Sequence, residues 1–344
     1  MTDTAPDREA ALARFLESAG WGGAERRLLA ADASFRHYDR LRDGSRQAVL
    51  MNAPPDKEPV GPFLAVQEIL LRLGLSAPKL LAAAPDEGLL LLEDLGDRTF
   101  TRALAEGERE EKLYRLATDL LIALHRRWKP ELGAGLAPYD EAALLREALL
   151  FVEWYLPAAS GRPCEPAARE AFVAAWRAVL AEVAGRREVL VLRDYHVDNL
   201  MLLPAREGAA ACGLLDFQDA LLGARAYDLV SLLEDARRDV PAPLAAAMTA
   251  RYLAAFPQLD RDVFAADYTV LGVQRSTKIL GIFVRLDRRD GKPRYLAHLP
   301  RLWRLVEQGL AHPALAPVAA WFARWAPAEL RDPPASAPAQ GVPR

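Results

Sequence analysis

The sequence predicts an α+β protein in which a small sheet-bearing lobe precedes a larger helical lobe. Three observations carry this reading. Short apolar runs bounded by turn residues crowd the first third of the chain. From Phe100 onward the apolar residues recur at helical spacing, and a single hairpin pattern near residue 200 interrupts them. Strands first and helices afterwards is the order of an α+β protein rather than of alternating βα units. A chain of 344 residues also has room for two lobes, each with its own core. The expected division is 1–93, 94–326 and a Pro- and Ala-rich, disordered tail over 327–344.

In order, Asp7 to Ser18 has Ala10, Leu12, Phe15 and Leu16 on one side, a helix ended by Gly20. Gly20-Trp21-Gly22-Gly23 contains a G-x-G, but no apolar strand precedes it, so it reads as a connector. Arg26 to Ala30 and Phe35 to Leu41 read as strands joined by the small polar tip Ala31 to Ser34. Asp43-Gly44 signals a hairpin into a third strand, Gln47 to Asn52. A Pro-rich loop over 53–61 leads to a helix from Pro62 to Leu73, with Gly74 beyond its end. Leu80 to Ala83 and Leu89 to Leu92 are short strands, after which Glu93-Asp94-Leu95-Gly96-Asp97 breaks the apolar pattern. Helices are then expected over 108–128, 141–156 and 166–184, and after the hairpin near 226–237, 241–256, 260–288 and 296–310.

Composition narrows the function. The net charge of −3 argues against nucleic acid as the main partner, because phosphate-backbone binders carry a basic excess. Two cysteines, Cys164 and Cys212, with no repeated spacing argue against a disulfide framework or a structural zinc site. The polar N-terminus lacks an apolar h-region and no apolar run reaches membrane-spanning length, so a cytoplasmic protein is expected.

The chemistry concentrates in Val189 to Asn199 and Gly213 to Asp219. Val189 to Leu192 reads as a strand, 193–199 as a polar loop, and Leu200 to Leu203 with Ala211 to Leu215 as paired strands around a turn. That arrangement gathers Asp194, Asn199 and Asp216. Phosphoryl transfer needs this set: one carboxylate to orient a hydroxyl and take its proton, and an amide oxygen and a second carboxylate to hold Mg²⁺. Asp219 serves either a second metal or the loop itself.

Asp194-x-His196-x-x-Asn199 followed by Leu214-Leu215-Asp216-Phe217-Gln218-Asp219 resembles the aminoglycoside phosphotransferase family, which has a two-lobed protein-kinase-like fold. The resemblance covers roughly residues 25–310. The run continuing to Arg237, with 32–41 and 280–296, looks like one branch, the anomeric kinases of N-acetylmuramate and N-acetylglucosamine. It implies ATP and Mg²⁺ as cofactors, Asp194 as base, and Asn199 and Asp216 as metal ligands. It further implies Ser34 over the phosphates and the backbone near Glu93 and Leu95 at the adenine edge. The implied role is phosphorylation of the sugar C1 hydroxyl in cell-wall (peptidoglycan) recycling, feeding a sugar-1-phosphate nucleotidyltransferase. The alternatives are another acceptor on the same fold (an aminoglycoside, choline or another alcohol) and a nucleotide-binding pseudokinase.

One departure from the family stands out. The strand lysine that grips the α- and β-phosphates is absent, and Met51 aligns with it, with Glu68 as the matching helix carboxylate. Lys57, Arg36 or Arg42 then grips the phosphates, or nucleotide is held weakly. His196 either offsets developing charge as an imidazolium or, neutral, braces the loop. Asp228 is expected to hydrogen-bond the catalytic loop. Gln274, Lys278 and Arg285 share a helix face that is either a solvated stripe or, with Arg275, a sugar-binding one. Trp154, Asp235 and Arg237 are further acceptor candidates, Trp154 by stacking on a sugar face or else as core.

Overall fold

The computed structural model describes residues 5–31 and 36–336. Packing divides the chain into two units, Met1–Leu116 with Val197–Asp219, and Ala117–His196 with Ala220–Arg344.

The first unit opens with α1 (Ala5–Ser18), β1 (Glu25–Ala31), β2 (His37–Asp43) and β3 (Arg46–Asn52). Gly44, at φ 57°, makes the two-residue turn from β2 to β3 that Asp43-Gly44 signals. Next come α2 (Gly61–Arg72), β4 (Leu80–Ala84), β5 (Leu89–Glu93), α3 (Phe100–Ala105) and the start of α4 (Glu110–Arg127). The five strands form one antiparallel sheet in the order β1-β2-β3-β5-β4. Strand side chains alternate between faces. One face sets Leu41, Ala48, Leu50, Leu89 and Leu91 against Leu12, Phe15 and Leu16 of α1 and against Trp21. Met51, opposite Tyr38 and Leu90, belongs to the other face.

In the second unit α5 (Glu141–Ala148) ends earlier than the expected 141–156 helix. A π-helical turn follows at Phe151–Tyr155, then α6 (Leu156–Ser160), α7 (Pro166–Leu180) and β6 (Val189–Val191). The chain then enters the first unit as the hairpin β7 (Leu200–Leu202) and β8 (Cys212–Leu214). This hairpin corrects the expected break at residue 94. Leu202 donates to the Arg98 carbonyl and Leu214 to the Ser76 carbonyl, each at 2.8 Å, so its backbone is bonded to the first 116 residues. Back in the second unit, β9 (Leu221–Gly223) pairs with β6, and α8 (Ala226–Leu233), α9 (Ala242–Ala255), α10 (Arg261–Arg288), α11 (Leu299–Leu310) and α12 (Ala316–Trp325) follow.

α10 is the buried axis of this unit and packs on α5, α8 and α11. Beside it Phe151, Phe172, Trp303, Trp321 and Phe322 form an aromatic cluster with centroids 4.7–6.3 Å apart. The expected disordered tail is corrected over its described part. Ala328–Leu330 forms a 3₁₀ turn, and the Tyr155 hydroxyl donates to the Leu330 carbonyl at 3.0 Å. No helix among the described residues is long and apolar enough to cross a membrane.

Gly281 of α10 lies against the turn that precedes the π-helix, where a Cβ would stand 2.3 Å from the Leu150 carbonyl. Gly281→Ala therefore overpacks backbone rather than a movable side chain. We expect a loss of about 1–3 kcal/mol, read by thermal denaturation as a Tm drop on the order of 2–4 °C per kcal/mol.

Candidate active site

Asp194 follows β6 in the second unit, and the backbone before it is strained. Arg193 has φ 70°, a left-handed conformation that costs an L residue about 1–2 kcal/mol. The turn aims two successive N–H groups at one carboxylate. Asp228 of α8, fully buried, accepts from Leu192 N at 2.7 Å and Arg193 N at 2.9 Å, as expected of it. Consecutive N–H groups in such a turn make an anion-binding concavity. Burial pushes the Asp228 carboxyl up to about 7, against the opposing pull of those two N–H groups. The Ser231 hydroxyl donates to the Arg193 carbonyl at 3.2 Å, and the Tyr195 hydroxyl to Ala117 O at 2.8 Å. The loop bearing Asp194 is thus pinned from both sides.

The Arg193 side chain pairs with Glu147 of α5, which is also 3.1 Å from Lys278 Nζ and accepts from the Tyr139 hydroxyl at 2.5 Å. Burial alone would raise Glu147, but Lys278, Arg193 and Tyr139 outweigh it and hold the carboxyl down to about 2. Lys278 stays charged although buried, because Tyr227, Glu147 and Asp194 offset the desolvation. This network corrects the reading of 274–278 as a solvated stripe. Gln274, Arg275 and Lys278 are all buried, Gln274 donates to the Leu144 carbonyl at 2.9 Å, and Arg275 to the Glu234 carbonyl at 3.2 Å. Arg275 and Lys278, expected as acceptor contacts, are engaged inside the unit.

His196 is buried with Arg237 Nη1 3.5 Å from its Nε2. Burial, then Arg237, lower its pKa against Asp235 and Asp194, which favours the neutral, bracing role over an imidazolium. The structure also brings Asp235 here: Oδ1 accepts from Arg237 N at 2.8 Å, while the buried Oδ2 has no hydrogen-bond partner. Trp154 lies half-buried in the π-helical turn, outside the aromatic cluster beside it.

In the first unit the β7–β8 hairpin brings Asn199 and Asp216 together. Leu215 N donates to the Asn199 carbonyl at 3.0 Å, and the Asn199 amide lies 3.4 Å from Asp216 Oδ2. Asp216 is exposed, with φ 55°, and Gln218 donates to its other oxygen at 2.8 Å. An amide oxygen and a carboxylate are hard donors of the kind that suit Mg²⁺, which takes one or two protein ligands and completes its shell with water and phosphate.

The remaining expectations fare unevenly. Ser34 lies outside the described residues. Glu68 is corrected: the phase of α2 buries Gln67 and turns Glu68 outward, 61% exposed and paired with Arg72. Glu93 gives its N–H to Lys79 O at 2.8 Å and its carboxylate to Arg206 at 2.5 Å, so its N–H is committed. Leu95 sits in a loop clamped by Arg40, which reaches Asp94 at 2.6 Å and Asp97 at 2.7 Å. That clamp and the Glu147 network were missed in the sequence. Arg193, next to Asp194, was the one available signal for the second.

A pinned loop bearing Asp194, an Asn–Asp pair beside a hairpin and a five-stranded sheet are features expected of a phosphoryl-transfer enzyme. The sequence model of the phosphotransferase enzyme family matches residues 25–262, and the chain belongs to that family. A Caulobacter vibrioides protein named N-acetylmuramate/N-acetylglucosamine kinase is 42% identical, covering 94% of this chain and 98% of its own. A Pseudomonas aeruginosa protein of the same name is 38% identical over 85% and 86% of the two chains. Among solved structures, an ADP-bound aminoglycoside phosphotransferase shares the fold with a TM-score of 0.58 at 14% identity, covering 88% of this chain and 97% of that one.

Glu147→Gln leaves Arg193 and Lys278 buried without their carboxylate and should cost about 3–5 kcal/mol near neutral pH. The depressed pKa makes that contribution full above pH 4.5 and lost as pH falls toward about 2. In denaturant titrations the gap between wild type and variant should therefore narrow across that window. His196→Gln should keep the shape of the wild-type turnover profile between pH 6 and 8, since a neutral imidazole has no charge to lose there.

Proposed function

We propose that this enzyme is an ATP-dependent kinase that phosphorylates the anomeric C1 hydroxyl of N-acetylmuramate and N-acetylglucosamine. The observation that carries phosphoryl transfer is the Asn199–Asp216 pair, five and 22 residues past the pinned Asp194 in chain order. The choice of acceptor is supported by the names of the relatives, which match over nearly the whole chain.

Asp194 orients the attacking hydroxyl and accepts its proton. An anomeric hydroxyl is more acidic than an ordinary alcohol, so orientation is the larger part of that task. The Asp228 contact serves it by fixing the loop. Asn199 and Asp216 would hold Mg²⁺, which neutralises charge on the nucleotide phosphates during transfer. The Leu95 backbone offers the adenine edge. On the acceptor side, Asp235 Oδ2 accepts a sugar hydroxyl or acetamido N–H, Arg237 meets the lactyl carboxylate of N-acetylmuramate, and Trp154 stacks on a sugar face. The sugar 1-phosphate would pass to a nucleotidyltransferase in peptidoglycan recycling, a cytoplasmic role because ATP is held there.

Phosphorus NMR of the product from N-acetylglucosamine, ATP and Mg²⁺ should give a sugar 1-phosphate; a 6-phosphate or no product would refute the assignment. Asp194→Asn should lower kcat by about 10²–10⁴-fold with little change in nucleotide affinity. Asp235→Asn should raise KM for the sugar and leave KM for ATP unchanged.

A further inference from the structure

The Met51 position poses a physical problem for a kinase. A thioether cannot grip a phosphate, and Met51 is buried between Tyr38 and Leu90. A cation must reach this sheet face from elsewhere. We infer that Arg36, anchored by Glu58, supplies the phosphate-gripping charge in place of the strand lysine. The inference rests on the kinase reading above and assigns it one further substrate-contacting residue.

Arg36 immediately precedes β2, two residues before Tyr38. Its guanidinium hydrogen-bonds the Tyr38 side chain, the cross-strand partner of Met51. The charge therefore stands on the sheet face of Met51, opposite the one covered by α1. Glu58, in the loop before α2, meets Arg36 Nε at 2.5 Å, with the two side chains only 15% and 17% exposed. The pair recreates from loop residues the cation–carboxylate couple that a strand lysine and a helix glutamate would form, the place the outward-facing Glu68 does not take.

The field of Asp219, three residues past Asp216, also reaches Arg36. Arg36 and the Asn199–Asp216 pair belong to the same unit. Phe217, between those acids, stacks on Phe63 of α2 at 4.9 Å and steadies the segment. Pairing with Glu58 does not exhaust a guanidinium, which carries five N–H donors in a fork suited to phosphate.

The competing cations fit less well. Lys57 is exposed in a turn. Arg42 is exposed about 20 Å further along β2, at about 3.3 Å per residue. Arg40 is committed to Asp94 and Asp97.

The test is calorimetric binding of Mg-ATP and ADP to the full chain, with the inhibition constant of adenosine measured beside it. Arg36→Gln should weaken ATP and ADP about 10- to 100-fold, the loss of one charge-assisted contact, with adenosine and the sugar KM unchanged. Arg36→Lys should recover part of the loss, and Glu58→Gln should show a smaller loss with the same phosphate selectivity. Equal ATP affinity in wild type and Arg36→Gln would overturn the inference alone. So would a parallel loss for adenosine, which marks a merely structural role. A wild-type protein that binds no adenine nucleotide would overturn the kinase reading and this inference with it.

Discussion

The contact on which the Asp194 loop depends is the Asp228 carboxylate in the concavity of two consecutive backbone N–H groups. Arg193 holds a left-handed conformation that an arginine does not choose, and only a strong compensating interaction keeps it there. A buried carboxylate receiving two N–H donors is such an interaction. Its reward is positional. The residue after the strained one is Asp194, so the backbone that carries it is fixed by this contact.

Charge is arranged in the same spirit around it. Glu147 gathers Arg193 and Lys278 inside the second unit, and both cations also feel Asp194. Buried ion clusters are weak contributors to net stability, because desolvation consumes most of the Coulombic gain. They are strong constraints on geometry, since any displacement leaves a charge uncompensated. The helix carrying Gln274, Arg275 and Lys278 is therefore a core element with polar residues serving an internal network, although its sequence looks amphipathic.

The residues proposed for the chemistry belong to different packing units while remaining close in the chain. Asp194 and His196 end one segment of the second unit; Asn199 and Asp216 flank a hairpin whose backbone is bonded to the first. Sequence order alone suggested a boundary before the helices, because strands stop near residue 93. Hydrogen bonds from Leu202 and Leu214 to Arg98 and Ser76 override that pattern, and no periodicity reports a bond between residues more than 100 apart.

What the sequence determined by itself was the order of strands and helices, the phosphotransferase family carried by the motif from Asp194 to Asp219, and the tie from Asp228. Each has a local cause: apolar periodicity, turn residues at fixed offsets, and polar side chains at the ends of short strands. The three-residue β9, the π-helical turn that ends α5 early and the burial of 274–278 came only from tertiary structure. So did the outward phase of Glu68, the pairing of Arg36 with Glu58 and the choice of Glu147 as counter-ion. A three-residue strand carries too little alternation to be read, and helix phase depends on what lies opposite. A carboxylate's partner is chosen by the fold, since Coulomb attraction depends on distance in space and not along the chain.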